Sequence, residues 1–152
     1  KVKPKMKPKK LKNTEENTLK VSQDIRVRFN ETDALGIVWH GNYARYLEVA
    51  RCELLEKFDY DYLAMDASGY LWPIVDLRMK YIGSAVFSQT IKVNAYLKEY
   101  ETRLKIDYVI SDAKTGNKLT KATSVQVAVD KKTQEMQFNS PPVLLEKLAR
   151  VL

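Results

Sequence analysis

One long helical repeat, set among segments that alternate, constrains the fold of this chain more than any other feature of its sequence. From Asn42 to Phe58, apolar residues recur at steps of three and four and lie on one stripe of a helix. The stripe consists of Tyr43, Tyr46, Leu47, Ala50, Leu54 and Phe58. Asn42 is a residue type favoured at helix N-caps. The 17 residues of this segment predict a helix of about 25 Å.

The segments that follow the helix alternate with the period of strands that bury one face. Four of them carry the apolar sets Val75 to Tyr81, Ile91 to Leu97, Leu104 to Ile110 and Val125 to Val129. A further segment, Asp24 to Phe29, precedes the helix and places Ile25, Val27 and Phe29 on one face. Short turn sequences separate the later segments, so these strands are expected to pair antiparallel.

The predicted fold follows from the need to cover the apolar face of this sheet. The chain offers one long helix for that purpose, and a short terminal helix is expected from Val143 to Val151. The predicted class is therefore α+β, with a curved antiparallel sheet wrapped around one long central helix. This arrangement is the hotdog fold.

The excess positive charge of the chain lies in its first residues. The net charge is +7, and seven lysines occur within residues 1–12, which contain no acidic residue. Of the 26 basic residues, the other 19 are balanced by 19 acidic ones. Residues 1–22 are expected to be a disordered basic leader, and residues 23–152 the folded domain. No nucleic-acid partner is expected, although an arm for nucleic acid or an anionic membrane is the alternative interpretation of the leader.

The composition excludes several kinds of site. A chain of 152 residues with 45% hydrophobic residues is typical of one globular domain. Cys52 is the only cysteine and His40 the only histidine, which excludes an internal disulfide, a cysteine-rich zinc site and a multi-histidine metal site. No apolar run reaches the roughly 18 residues of a membrane span, and no secretory signal is recognisable. The expected compartment is the cytoplasm.

The segment from Asp33 to Tyr43 combines features that suit acyl transfer. Asp33 lies in a loop with Gly36, which supplies backbone freedom. His40 and Gly41 precede the helix, where the first amides lack intrahelical acceptors and carry the positive end of the dipole. Such amides can stabilise an oxyanion, and a carboxylate near the same carbonyl can attack it or deprotonate a water molecule. Thioester hydrolysis is one reaction of this kind.

Each of these residues also has a purely structural interpretation when it is considered alone. Asp33 could cap a turn, and His40 could make a structural hydrogen bond at the helix end. Glu48 and Arg51 are expected to form a solvated pair on the helix surface. The sequence does not decide whether Trp39 and Trp72 lie in the core or form the wall of an acyl pocket.

The order of these residues closely resembles the 4-hydroxybenzoyl-CoA thioesterase family, most of all its bacterial branch acting on short-chain and aromatic acyl-CoA. The resemblance rests on the string Asp33-x-x-Gly36-x-Val38-x-His40-x-Asn42-Tyr43. The flanking residues Arg28-Phe29-Asn30-Glu31-Thr32, Arg45-Tyr46-Leu47-Glu48 and Ala50-Arg51 also match. The similarity extends from about Asp24 to Arg150. It implies a hotdog acyl-CoA thioesterase.

The resemblance also implies roles for single residues and for partners. Asp33 would be the catalytic carboxylate, and the backbone amide of His40 would polarise the thioester carbonyl. Gly41, Asn42 and Tyr43 would bind the substrate. No metal or cofactor would be needed, since CoA enters only as part of the acyl-CoA substrate. The protein would be a homodimer with sheets joined edge to edge, or a homotetramer, with the active site at the dimer interface. The candidate contacts for the CoA phosphates are Arg78, Lys80 and Lys92.

Two other functions stay open from the sequence. The same motif would serve a thioesterase that acts on acyl carrier protein. A non-catalytic hotdog protein could instead bind acyl-CoA as a sensor. A hotdog hydratase is disfavoured, because the chain has no second histidine to offer.

Overall fold

The computed structural model of the chain describes residues 19–152, and the predicted leader before Leu19 lies outside the described residues. Within residues 19–152, seven strands and three α-helices follow one another: β1 (Lys20–Arg26), α1 (Tyr43–Lys57), α2 (Tyr62–Ala67), β2 (Tyr70–Leu71), β3 (Ile74–Tyr81), β4 (Thr90–Glu99), β5 (Leu104–Asp112), β6 (Lys118–Gln126), β7 (Val129–Asp130) and α3 (Pro142–Ala149). Two short 3₁₀ helices, Phe29–Glu31 and His40–Asn42, lie between β1 and α1.

The five longer strands form one antiparallel sheet in the order β1-β4-β5-β6-β3, and β2 pairs with β7 beside it. Helix α1 packs mainly on β4 and β1. All six residues of the predicted apolar stripe are buried. Bulges in β3, β4 and β6 interrupt the register and bend these strands. The predicted α+β hotdog fold is confirmed, because one long helix covers an antiparallel sheet.

The first strand differs from its predicted limits. β1 begins at Lys20, inside the predicted leader, and ends at Arg26. Ile25 and Val27 pack toward the core as expected. Phe29 does not, because the backbone turns into the 3₁₀ helix Phe29–Glu31 and the alternation stops there. Its side chain is 77% exposed, so the prediction of a buried Phe29 is wrong.

The sixth strand presents polar residues to the helix. Tyr108 of β5 faces α1, because its hydroxyl lies 3.4 Å from Arg51 Nη1. Ser124 shares a 2.7 Å hydrogen bond with the same hydroxyl, so Ser124 and, by alternation, Gln126 face the helix. The sequence pattern predicted that the valines of this segment would form that face, which is wrong. Gln126 Nε2 donates to the carbonyl of Trp72 at 2.8 Å, although the two residues are far apart in sequence. Hydrogen bonds of this kind offset the cost of burying polar groups.

Candidate active site

Asp33 opens a tight hairpin that lies between β1 and α1. Its backbone N–H donates to the carbonyl of Ile37 at 2.8 Å, and the N–H of Gly36 donates to the carbonyl of Asp33 at 3.0 Å. Gly36 has φ of +77°, a left-handed conformation that favours glycine. The carboxylate oxygen Oδ1 accepts the N–H of Leu35 at 2.8 Å, so Asp33 forms an Asx turn. Within residues 19–152, Oδ2 has no hydrogen-bond partner, and the side chain is exposed to solvent.

The approach to α1 leaves two backbone donors free. The N–H of Trp39 donates to the carbonyl of Glu31 at 3.0 Å, and that of Asn42 to the carbonyl of Trp39 at 2.9 Å. Tyr43 N–H bonds the carbonyl of His40. In the part of the chain that the structure describes, the N–H groups of His40 and Gly41 have no protein acceptor. These two donors stand at the positive end of the helix and can receive a ligand oxygen.

Gly41 allows a close approach that any larger residue would block. A Cβ atom at this position would lie 2.3 Å from Cζ3 and 2.5 Å from Cη2 of the Trp39 indole. The indole therefore lies directly against the backbone that carries the free donors. Its ring centroid is 5.1 Å from that of His40. Trp39 is half exposed, which places it beside the helix start and not in the core, whereas Trp72 is buried and donates to the Tyr60 hydroxyl at 3.2 Å.

Asn42 and Tyr43 hold the helix start in place from inside the protein. Asn42 is buried, and its Nδ2 donates to the carbonyl of Glu31 at 2.8 Å. Asn42 occupies the N-cap position of α1, as predicted from its residue type, but its side chain makes no capping hydrogen bond there. The Tyr43 hydroxyl accepts the N–H of Ala85 at 3.1 Å, and the ring lies 5.4 Å from Tyr81. Both predicted substrate-binding residues thus have structural partners within the chain.

Tyr81 adjoins the site and had no predicted role there. Its hydroxyl lies 3.4 Å from the carbonyl of His40 and 3.2 Å from Met79 Sδ. The His40 carbonyl belongs to the same peptide unit as the Gly41 N–H, so a donor to the carbonyl also orients that N–H. No sequence signal separates Tyr81 from the other apolar members of β3, because the contact depends on how the strand meets the helix start.

The predicted surface pair on α1 is wrong. Arg51 is buried, at 5% exposure, and its Nε donates to the Tyr62 hydroxyl at 2.8 Å while Nη1 reaches Tyr108. Glu48 is exposed on a different side of the helix. Within residues 19–152 no carboxylate pairs with Arg51. The guanidinium is therefore stabilised by neutral hydroxyl groups in the core.

The described residues also bear on metal and membrane binding. Residues 19–152 contain no group of three or more histidine, cysteine, aspartate and glutamate side chains placed to hold a metal ion. Among the helices of the same region, none has the length and apolarity needed to cross a bilayer.

A sheet wrapped on one helix, with a carboxylate hairpin leading to free amides at the helix start, defines the class of protein. Residues 27–148 match the family model of the thioesterase-like superfamily, so the chain belongs to that superfamily. The expectation of a thioester hydrolase is confirmed at the level of this family.

Individual relatives agree with this assignment. The chain is 33% identical over 118 residues to the Bacillus subtilis protein named "Putative acyl-CoA thioesterase YneP". The matched region covers 76% of this chain and 85% of that protein. A DHNA-CoA thioesterase from Staphylococcus aureus superposes with a TM-score of 0.76 at 27% identity, covering 87% of this chain and 90% of that one.

The fold alone is shared with more distant structures. A 4-hydroxybenzoyl-CoA thioesterase mutant complexed with 4-hydroxybenzoyl-CoA has a TM-score of 0.74 at 18% identity, covering 85% of this chain and 98% of that one. The family model establishes the superfamily, while the predicted 4-hydroxybenzoyl-CoA thioesterase branch stays a prediction.

Proposed function

We propose that this protein is an acyl-CoA thioesterase that hydrolyses a thioester to the free acid and CoA. The observation that carries the proposal is the pair of free N–H groups at His40 and Gly41, which follow in the chain the hairpin that holds the Asp33 carboxylate. A thioester carbonyl bound to these donors would be polarised, and its developing oxyanion stabilised. The names of the relatives in Bacillus subtilis and Staphylococcus aureus support a CoA thioester as the substrate.

Asp33 is proposed to act in one of two ways. As a nucleophile, Oδ2 attacks the carbonyl carbon, CoA leaves as the thiolate, and water hydrolyses the resulting mixed anhydride. As a general base, the carboxylate removes a proton from a water molecule that attacks the same carbon. The Asx turn supports either route, because it fixes Oδ1 and leaves Oδ2 free of partners within the described residues.

We also propose that the active protein is a homodimer joined through β3, with tetramers as a further assembly. In the described sheet β3 pairs only with β6 and forms an edge. Val75 and Leu77 on this strand are 56% and 43% exposed. A long exposed apolar edge is a template for strand pairing, and a second copy of the chain would satisfy it. Such pairing would cover the open side of the site next to Tyr81 and complete an acyl pocket.

The superfamily assignment also permits a thioesterase that acts on acyl carrier protein, since the same donors and carboxylate would serve that substrate. Relative turnover of the same acyl group on CoA and on carrier protein separates the two functions. A purely acyl-CoA-binding protein would instead bind the substrate tightly and leave it intact.

Replacing Asp33 with asparagine tests the proposed function. Asparagine can keep the Asx turn through its own Oδ1, so the fold and thermal unfolding should not change. Hydrolysis of acyl-CoA should fall by about a hundredfold or more, because the amide can neither attack nor accept a proton. Unchanged turnover by this variant would refute the proposal. In water enriched in ¹⁸O, label incorporated into Asp33 during a single turnover would establish the nucleophilic route.

A further inference from the structure

A groove of about 830 Å³ runs between β1 and the first half of α1, separate from the helix start. Its walls include Arg26, Arg28 and Arg45, and its size falls in the range of small-molecule sites. Glu31 also lines the groove, and the carbonyl of Glu31 accepts the N–H of Trp39 and the Nδ2 of Asn42. The groove and the proposed active site therefore meet at one rigid loop.

The three arginines give the groove a positive character. Within residues 19–152, none of their guanidinium groups forms an ion pair. Two acidic residues, Asp24 and Glu31, also line the groove. Glu31 Oε1 accepts the backbone N–H of Arg28 at 2.7 Å. The three arginines outnumber the two carboxylates, so the lining carries a net charge of +1.

An aromatic pair also lines the groove. Phe29 and Phe87 both line it, with ring centroids 5.7 Å apart and an interplanar angle of 88°. They are 77% and 51% exposed, although Phe29 belongs to a pattern that predicted burial. Exposed apolar surface with a polar rim is typical of binding sites.

A buried hydroxyl adds an unused polar group to the lining. Tyr46 is only 2% exposed, and its hydroxyl makes no hydrogen bond to residues 19–152. It lies near the Glu31 carboxylate without reaching hydrogen-bond geometry, and burial together with that negative charge raises the pKa of Tyr46 well above its usual range. The hydroxyl thus stays protonated.

We propose that this groove holds the phosphorylated adenosine end of the CoA carrier, which rests on the proposed thioesterase function. Arginine binds phosphate oxygens through paired N–H donors, so Arg26, Arg28 and Arg45 would receive the pyrophosphate and 3′-phosphate. The exposed rings of Phe29 and Phe87 would pack against the adenine base. The pantetheine arm would then pass the Glu31 loop toward the His40 and Gly41 amides.

Two of the three cations suggested by the sequence, Arg78 and Lys80, are less suited to this role. Lys80 lies directly opposite Lys121 in the pairing of β3 with β6. It alternates with Tyr81, which contacts the helix start, so Lys80 points to the opposite face of the sheet. Arg78 shares that face and lies 3.5 Å from Asp76. These residues offer a matched control, because they carry similar charge on the face away from the site.

The test compares two thioesters of the same acyl group, one on CoA and one on N-acetylcysteamine, which lacks the phosphates and adenosine. The triple variant Arg26→Gln, Arg28→Gln, Arg45→Gln should raise KM for acyl-CoA about tenfold or more and leave kcat unchanged. Its kinetics with the N-acetylcysteamine thioester should match those of the wild type. Inhibition of acyl-CoA hydrolysis by adenosine 3′,5′-bisphosphate should weaken by a similar factor.

The control is the double variant Lys80→Gln, Lys121→Gln, which should leave KM for acyl-CoA within about twofold of wild type. An unchanged KM in the arginine variant would overturn the assignment of the groove. An equal rise in the lysine variant would also overturn it, because that result indicates general electrostatic attraction. Wild-type turnover of the N-acetylcysteamine thioester tests the proposed function by itself, since that substrate does not use the groove.

The adenine contact has a separate test. Phe87→Ala should raise KM for acyl-CoA several-fold and leave KM for an acyl-phosphopantetheine unchanged, because only the first substrate carries adenine. An equal effect on both substrates would overturn the adenine contact and would indicate a change in the loop itself.

Discussion

Enlarging Gly41 tests whether the backbone at the helix start performs the chemistry. In Gly41→Ala the new Cβ would lie 2.3 Å from Trp39 Cζ3. Carbon atoms in ordinary contact are about 3.5 Å apart, so the ring or the peptide must shift by about 1.2 Å. Alanine is otherwise compatible with a helical turn, and glycine is costly there, so the folded state should lose little stability.

The size of the effect depends on how the shift is shared. Trp39 is 51% exposed and can move partly into solvent. The rest of the shift falls on the peptide that carries the Gly41 N–H, and a misplacement of 1 Å at a reacting centre can cost up to about a hundredfold. If the ring takes up the whole shift, kcat should not change, and if the peptide takes it up, kcat should fall about a hundredfold. We expect an intermediate result, in which kcat for acyl-CoA falls roughly tenfold.

The assay is a double-mutant cycle on kcat with Trp39→Ala as the second change. Removing the indole removes the clash, so the variant carrying both changes should recover most of the activity that Gly41→Ala loses, relative to Trp39→Ala alone. Circular dichroism and thermal unfolding confirm that all variants are folded. Full activity in Gly41→Ala, or no recovery in the double variant, would refute the reasoning that the Gly41 amide binds the oxyanion.

Three further changes address the imidazole, the interface and the core. His40→Ala should reduce kcat clearly less than Asp33→Asn, because the backbone N–H stays in place; an equal loss would give the imidazole a central role. Leu77→Lys should convert the dimer to monomers and remove activity together, as measured by sedimentation and turnover; an intact dimer would contradict pairing through β3. Arg51→Ala should lower stability by about 3 kcal/mol, whereas Arg51→Met should cost less, because it fills the space and no carboxylate within residues 19–152 pairs with the guanidinium. Thermal unfolding measures the difference, and equal losses would show that the hydroxyl contacts of Arg51 outweigh its packing.

The helix and most strands were predictable because their signals are local. The stripe from Tyr43 to Phe58 repeats with the helical period, and every residue in it is buried. The hairpin at Asp33 is also local, since the Leu35 N–H and the left-handed Gly36 lie within three residues of the carboxylate. The free amides before α1 follow from the same local geometry.

Residues whose partners are distant in sequence could not be assigned in this way. Arg51 has the spacing of a surface residue paired with Glu48, yet its partners are Tyr62 and Tyr108, which are 11 and 57 positions away. Ser124 lies on the face opposite the valines in the sequence pattern, yet it is buried and shares a hydrogen bond with the same Tyr108 hydroxyl. A polar side chain is buried where a hydrogen-bond partner is available, and the periodicity of the sequence carries no information about that partner.

The sequence by itself determined the order of carboxylate, glycine, histidine and helix start, because these features use backbone groups a few residues apart. Only the tertiary structure decided what surrounds them: the Trp39 indole against Gly41, the Tyr81 hydroxyl near the His40 carbonyl, and the arginine groove beside the Glu31 loop. The Tyr81 contact and the groove depend on where strands far apart in the chain meet α1. Packing of the sheet on the helix sets those distances, and no local pattern encodes them.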